Sequence, residues 1–185
     1  MNEQREKQKQ GRKKDGDLFD WLETFVTALV ACILIFTFVG HTVGVIGPSM
    51  QQTLQEGDRL VISRLFYTPK AGDIVVLRKD SFRSEPIIKR IIATEGQTVD
   101  IDFDEGVVYV DGVALDEPYV NAPTYEPEDF TEPVTVPEGC VFVMGDNRNR
   151  STDSRTDSIG CVDVRYILGK ALFRLTPLDK FGSIY

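Results

Sequence analysis

Two patterns of apolar residues divide this chain. Residues 24–46 run for 23 positions without Asp, Glu, Lys or Arg. A helix of about 20 such residues spans the hydrocarbon core of a bilayer. Trp21 stands just before the run, where an interfacial aromatic belongs. The run is longer than the apolar region of a signal peptide, and it ends in Gly44-Val45-Ile46-Gly47 instead of a small-x-small cleavage site. The pattern therefore predicts an uncleaved transmembrane helix over 18–46. A buried core helix is the alternative.

Beyond the run, apolar residues come in short β-branched stretches at 58–63, 73–77, 87–92, 98–103, 107–110, 113–115, 140–144 and 162–175. Glycines punctuate them, and Asp111-Gly112 has the form of a tight hairpin turn. Residues 116–138 carry five prolines and seven acidic residues, which predicts a surface excursion. No helical periodicity of useful length follows residue 46. The fold class expected is mostly β, a single transmembrane helix followed by a folded antiparallel domain over 47–185, in the manner of a sandwich or partial barrel.

Composition fits a folding sequence, with 42% hydrophobic and 27% charged residues. The six basic residues of the first 17 positions precede the apolar run. By the positive-inside rule that tail stays in the cytoplasm and everything after residue 46 lies on the outer face. A net charge of −8 argues against nucleic acid as a partner, because phosphate binding needs a basic face. One histidine and three scattered cysteines give no metal-ligand spacing, so no metal and no cofactor are expected. Cys140 and Cys161 can pair only if their strands are neighbours.

Three stretches hold candidate chemistry. Gly47-Pro48-Ser49-Met50 places a serine in an irregular turn, and a serine hydroxyl needs a base beside it. His41, at the end of the apolar run, reads as an interfacial polar residue. Lys89 is the odd residue of its strand. It shares a face with Ile87 and Ile91 by the two-residue period, while Arg90 shares one with Ile88 and Ile92. Such a lysine either snorkels to the surface or sits in an apolar site, where burial disfavours the ammonium form and leaves an amine able to take a proton. The third stretch is 145–155. There Asp153 and Arg155 can pair, and Ser151 and Ser154 can bond a lysine amine. The plain alternative is a solvated turn.

Taken together these pieces resemble a type I signal peptidase, the membrane-anchored serine protease that removes signal peptides from exported proteins. Gly47, Ser49, Met50, Thr53 and Leu54 are similar to that family's nucleophile motif. Gly72-Asp73-Ile74-Val75-Val76 resembles its next strand, Lys89-Arg90 with Gly96 its base motif, and Gly145-Asp146-Asn147-Arg148 with Ser151, Asp153, Ser154 and Arg155 its last. The resemblance covers the apolar run and nearly all of the domain after it. The short excursion after Leu115 is similar to the compact form from Gram-positive bacteria.

The resemblance implies Ser49 as nucleophile, Lys89 as general base and Ser151 as the group orienting its amine. It implies structural pairs of Asp146 with Arg90 and Asp153 with Arg155, and the Ser49 N–H as an oxyanion donor. Where some members add a serine hydroxyl two residues earlier, this chain has Gly47. Where the family usually has proline, it has Gln52. Met50, Leu54, Leu60, Val76 and Ile88 are the residues expected to line shallow pockets for small side chains. The expected partners are signal-peptide-bearing preproteins and the lipid bilayer. Two other readings stand beside this one: a self-cleaving regulator of the SOS-repressor type, and a catalytically silent membrane-anchored β domain that binds exported proteins.

Overall fold

The computed structural model describes residues 19–33, 41–79 and 85–184. It divides into two compact units, residues 1–40 and 41–185. In the first, residues 19–33 form helix α1, where Thr24 and Thr27 return their hydroxyls to the carbonyls four residues back and Trp21 stacks on Phe25 at 5.6 Å. No helix among the described residues is long and apolar enough to cross a membrane. Part of the expected 18–46 span, residues 34–40, lies outside the described residues.

The end of that span is not helix. His41–Gly44 forms strand β1, the edge of a large sheet, with His41 opposite Ile62 and Gly44 opposite Arg59. The β unit thus begins at His41, not at 47. Val43 and Val45 are drawn into its core, and burial there outweighs continuation of an apolar helix.

The unit is mostly β, as expected. Its larger sheet contains β1, β2 (Arg59–Ser63), β3 (Ile74–Leu77), β4 (Ile87–Thr94), β9 (Cys140–Met144), β10 (Val162–Asp163), β11 (Ile167–Thr176) and β12 (Gly182–Ser183). They run in the order β1-β2-β11-β3-β4-β9-β10, with β12 beside β11. A second sheet has the order β7-β6-β5-β8, from β5 (Thr98–Asp102), β6 (Val107–Val110), β7 (Val113–Ala114) and β8 (Val134–Thr135). The stretch expected as one strand over 162–175 is two, broken by a turn of 3-10 helix at Val164–Tyr166.

The central strands are apolar on both sides because both sides are covered. In β3, Ile74 and Val76 join one apolar cluster with Met50, Leu54, Leu60 and Ile88, while Val75 and Leu77 join another with Ile91, Val143 and Ile167. A third cluster, around Val99, Ile101, Val108, Phe130 and Phe142, draws residues from both sheets.

Residues 116–138 are not wholly a surface excursion. Phe130 packs edge-on against Phe103 and Phe142, with ring centroids 6.0 and 6.1 Å away, and Val136 is buried. A few apolar residues inside a proline-rich acidic stretch suffice to pin it down.

Candidate active site

The Ser49 turn is held at both ends by backbone. Val45 and Gly57 pair across its base with Asp58 and Val45 carbonyls, and within it Gln51 N–H donates to Pro48 O and Leu54 N–H to Met50 O. Gly47 takes φ +81°, the left-handed region where a side chain is strained, which accounts for glycine rather than serine at this position. Met50 is buried beneath the turn and Ser49 stays half-buried above it.

Lys89 lies in β4 across from Val75, in a strand buried on both sides, and is only 3% exposed. It does not snorkel to the surface. Its Nζ donates to Ser151 Oγ at 3.1 Å, a bond between two buried side chains. Ser154, the other serine expected near this amine, instead accepts from Val143 N–H at 2.9 Å and closes the loop onto β9. Ser49 and Lys89 line one cleft of about 420 Å³, between residues 44–50 on one side and 85–89 on the other, with Thr152 at its rim. His41 is exposed on β1 and lies away from the cleft.

Two of the five expected pocket residues, Met50 and Ile88, line this cleft. Leu54, Leu60 and Val76 do not; each is fully buried in the cluster behind it. The resemblance implies them as pocket residues, but here they belong to the core.

The loop after β9 carries the buried charges. Arg90 grips Asp146 with two nitrogens, at 2.8 and 2.7 Å, and its third reaches Gly72 O. Thr53 Oγ1 donates to the same carboxylate at 2.5 Å, so Asp146 ties the end of the serine turn to the strand that carries Lys89. Arg155 likewise grips Asp153 at 2.8 and 3.0 Å, and adds bonds to the carbonyls of Glu126, Arg148 and Ser151. Asp153 also accepts from Gly145 N–H. Every side-chain nitrogen and oxygen of these paired charges has at least one hydrogen-bond partner, which buried ions require.

The sequence did not point to a second layer. Arg148 pairs with Glu117 at 2.5 Å, the Arg90 guanidinium lies 3.9 Å from the Tyr119 ring centre, and Tyr119 OH donates to Glu117. Burial, then the neighbouring Glu117 carboxylate, pushes the Tyr119 phenol well above its usual value, so it stays a neutral donor. Tyr119 and Glu117 sit in an acidic stretch that reads as solvated, and only an aromatic set among the carboxylates hinted otherwise. Cys140 and Cys161 are both free thiols, although β9 and β10 are neighbours. Among the described residues no three His, Cys, Asp or Glu side chains are grouped to hold a metal ion.

The arrangement offers a half-exposed hydroxyl, a buried amine held by a second hydroxyl, and an open cleft for an extended chain. Against known proteins, a sequence model described as "Signal peptidase, peptidase S26" matches residues 18–176. The "Probable signal peptidase I-1" of Synechocystis sp. is 39% identical over 86% of this chain and 83% of its own length. The "Signal peptidase I" of Bacillus licheniformis is 36% identical over 90% of this chain and 93% of its own. A solved signal peptidase I from Enterococcus faecalis V583 is 31% identical, covering 56% of this chain and 97% of that one at a TM-score of 0.45. With a family match across most of the sequence and relatives this similar along most of their length, the chain belongs to the signal peptidase family, peptidase S26.

Proposed function

We propose that this protein is a membrane-anchored serine endopeptidase that cleaves signal peptides from exported preproteins after small-x-small residues. Ser49 is the nucleophile and Lys89 the general base. Neutral Lys89 takes the proton from Ser49 Oγ as the oxygen attacks the scissile carbonyl, and that proton passes to the departing amine. The Ser49 N–H stabilises the oxyanion. Water, activated by the same amine, then releases the acyl group from Ser49. Ser151 holds the amine in place throughout. Asp146 with Arg90 holds the loop against the turn through Thr53, and Asp153 with Arg155 braces the loop itself.

The observation that carries this reading is the buried Lys89–Ser151 bond beside the cleft that contains Ser49. A silent binding domain has no use for an amine so placed, since burying it costs desolvation. One wall of the cleft is the serine turn with the segment before it, the other is the start of β4, and Met50 and Ile88 supply apolar side chains, which suits a peptide of small residues lying between them.

The anchor in this reading is the uncharged apolar run that begins at Thr24. The basic tail is cytoplasmic and the β unit lies on the outer face. That unit carries exposed Leu65, Phe66, Leu178 and Phe181, and a bilayer is the partner that such residues fit. The test of the function is cleavage of a precursor peptide ending its apolar segment in Ala-x-Ala by the detergent-solubilised protein. Product at that bond from the wild type and none from Ser49→Ala supports it; an uncut peptide, or a fully active Ser49→Ala, overturns it.

A further inference from the structure

The two peptide planes on either side of Ser49 are both fastened to one residue of the facing loop. Asn147 N–H donates to Ser49 O at 3.0 Å, and Asn147 Nδ2 donates to Pro48 O at 3.0 Å. The amide's own oxygen is engaged too, since Asn121 Nδ2 donates to Asn147 Oδ1 at 3.0 Å. That bond decides which way the amide faces, because a flipped amide would set oxygen against Pro48 O and nitrogen against Asn121 Nδ2. Asn147 is 3% exposed and neither lines the cleft nor contacts Lys89 or Ser151 through any of these bonds.

These contacts have a geometric consequence. A trans peptide is planar with its C=O and N–H antiparallel. Fixing Pro48 O therefore fixes the direction of the Ser49 N–H, which points the opposite way from Asn147. Fixing Ser49 O holds the next plane. With both planes set, the Cα–Cβ bond of Ser49 has no freedom left in its backbone, and the hydroxyl starts from one place. We infer that Asn147 is a positioning residue for the nucleophile, aiming the Ser49 N–H and hydroxyl together, with Asn121 setting the direction of its amide. This rests on the reading of Ser49 as nucleophile. It also gives the strand-poor stretch after Leu115 a task, because Asn121 reaches the serine turn through one intervening side chain.

The experiment compares Asn147→Ala, Asn147→Asp and Asn121→Ala with wild type and Ser49→Ala on the same precursor peptide. Misplacing a reacting atom slightly costs on the order of tenfold to a hundredfold in rate. Asn147→Ala should lose that much in kcat, with KM within about twofold, since the cleft walls are untouched. Asn147→Asp has the same shape but puts an acceptor against Pro48 O, and should be at least as slow. Asn121→Ala should lose less than either. The acidic limb of the pH profile should not move in Asn147→Ala or Asn121→Ala, because neither adds a charge and Lys89 and Ser151 are undisturbed. Should Asn147→Ala fail to fold, the isosteric Asn147→Asp and the exposed Asn121→Ala carry the test. Wild-type kcat in Asn147→Asp, a loss that appears in KM, or an acidic limb shifted in either Ala variant overturns the inference. A dead Ser49→Ala beside an unimpaired Asn147→Asp sinks the positioning role alone. An active Ser49→Ala sinks the underlying reading as well.

Discussion

Lys89 Nζ and Ser151 Oγ are 3.1 Å apart although 62 residues separate them in sequence, and both side chains are buried. A lysine fixed in this way is pre-positioned for one proton transfer. Lys89→Ala should abolish cleavage, and Lys89→Arg should too, because a guanidinium does not deprotonate. Ser151→Ala removes this buried hydrogen bond, at a cost of about 1–3 kcal/mol. That corresponds to roughly tenfold to a hundredfold in kcat/KM. His41→Ala should keep most activity. Single-turnover cleavage of the precursor peptide checks all four; an active Lys89→Ala or a dead His41→Ala would reverse the assignment of the base.

Gly145 is where the last loop crosses the serine turn. A Cβ there would lie 2.2 Å from Ser151 Oγ and 2.5 Å from Ser49 O, closer than real contacts allow. Ser49 O is backbone and cannot step aside cheaply. Gly145→Ala should therefore separate the turn from the loop and remove activity by more than Ser151→Ala does. The comparison of the two kcat/KM values decides it, and equal values would mean that the turn yields without cost.

The Arg90–Asp146 pair is buried on both sides, at 7% and 0% exposure. Asp146→Ala leaves a buried guanidinium without its carboxylate and Thr53 without its acceptor. Breaking such a pair typically costs about 3–5 kcal/mol. Unfolding by urea should show a drop of that size, whereas Asp163→Ala, which breaks an exposed pair with Arg165, should fall within about 1 kcal/mol of wild type. Similar midpoints for the two variants would count against the structural role of Asp146.

Much of this was legible beforehand, for reasons that differ by residue. Strands β2 to β6 and β9 announced themselves because β-branched runs between glycines have little else to become. Lys89 stood out as a charge among isoleucines, but that setting fits a snorkelling lysine equally well, and only the strands packed around β4 decide for burial. Strand β1 was hidden because His41–Gly44 continues the apolar run with no charge to mark a boundary. Leu54, Leu60 and Val76 are expected at the cleft from the family resemblance, but whether an apolar side chain lines a pocket or the core behind it depends on the packing beyond it, which the motif does not carry. Glu117, Tyr119 and Asn121 reach the site through contacts 26 or more residues away along the chain, as with Asn121 and Asn147. Local pattern carries no trace of such pairings.

Phe66 is 97% exposed and Leu65 beside it is 49% exposed, on the turn after β2. Burying a phenylalanine is worth about 1.5–3 kcal/mol. If that face meets a bilayer, Phe66→Asp should slow processing of a precursor embedded in vesicles by roughly tenfold or more. Cleavage of a soluble peptide in detergent should be unchanged. Equal rates on the embedded precursor would mean that this surface does not touch lipid.

Cys161 offers a pH test that does not involve catalysis. Burial, and then the nearby Cys140, push its thiol from 9.0 up to about 11, against a smaller opposing effect of Lys79. Because the raised value favours the neutral thiol in the folded state, this group's contribution to stability is complete below pH 9 and is lost as the pH rises from 9 through 11. Alkylation proceeds through the thiolate, which for such a thiol is only about one part in a thousand at pH 8. In a background lacking Cys32, iodoacetamide should therefore label Cys161 roughly a hundredfold more slowly at pH 8 than a thiol titrating at 9. Its rate should still be climbing at pH 10. Replacing Cys140 with serine removes the second contributor and should move the labelling midpoint slightly down, while burial keeps it above 9. A midpoint at or below 9 in the folded protein would show that water reaches this thiol and that its surroundings do not hold it neutral.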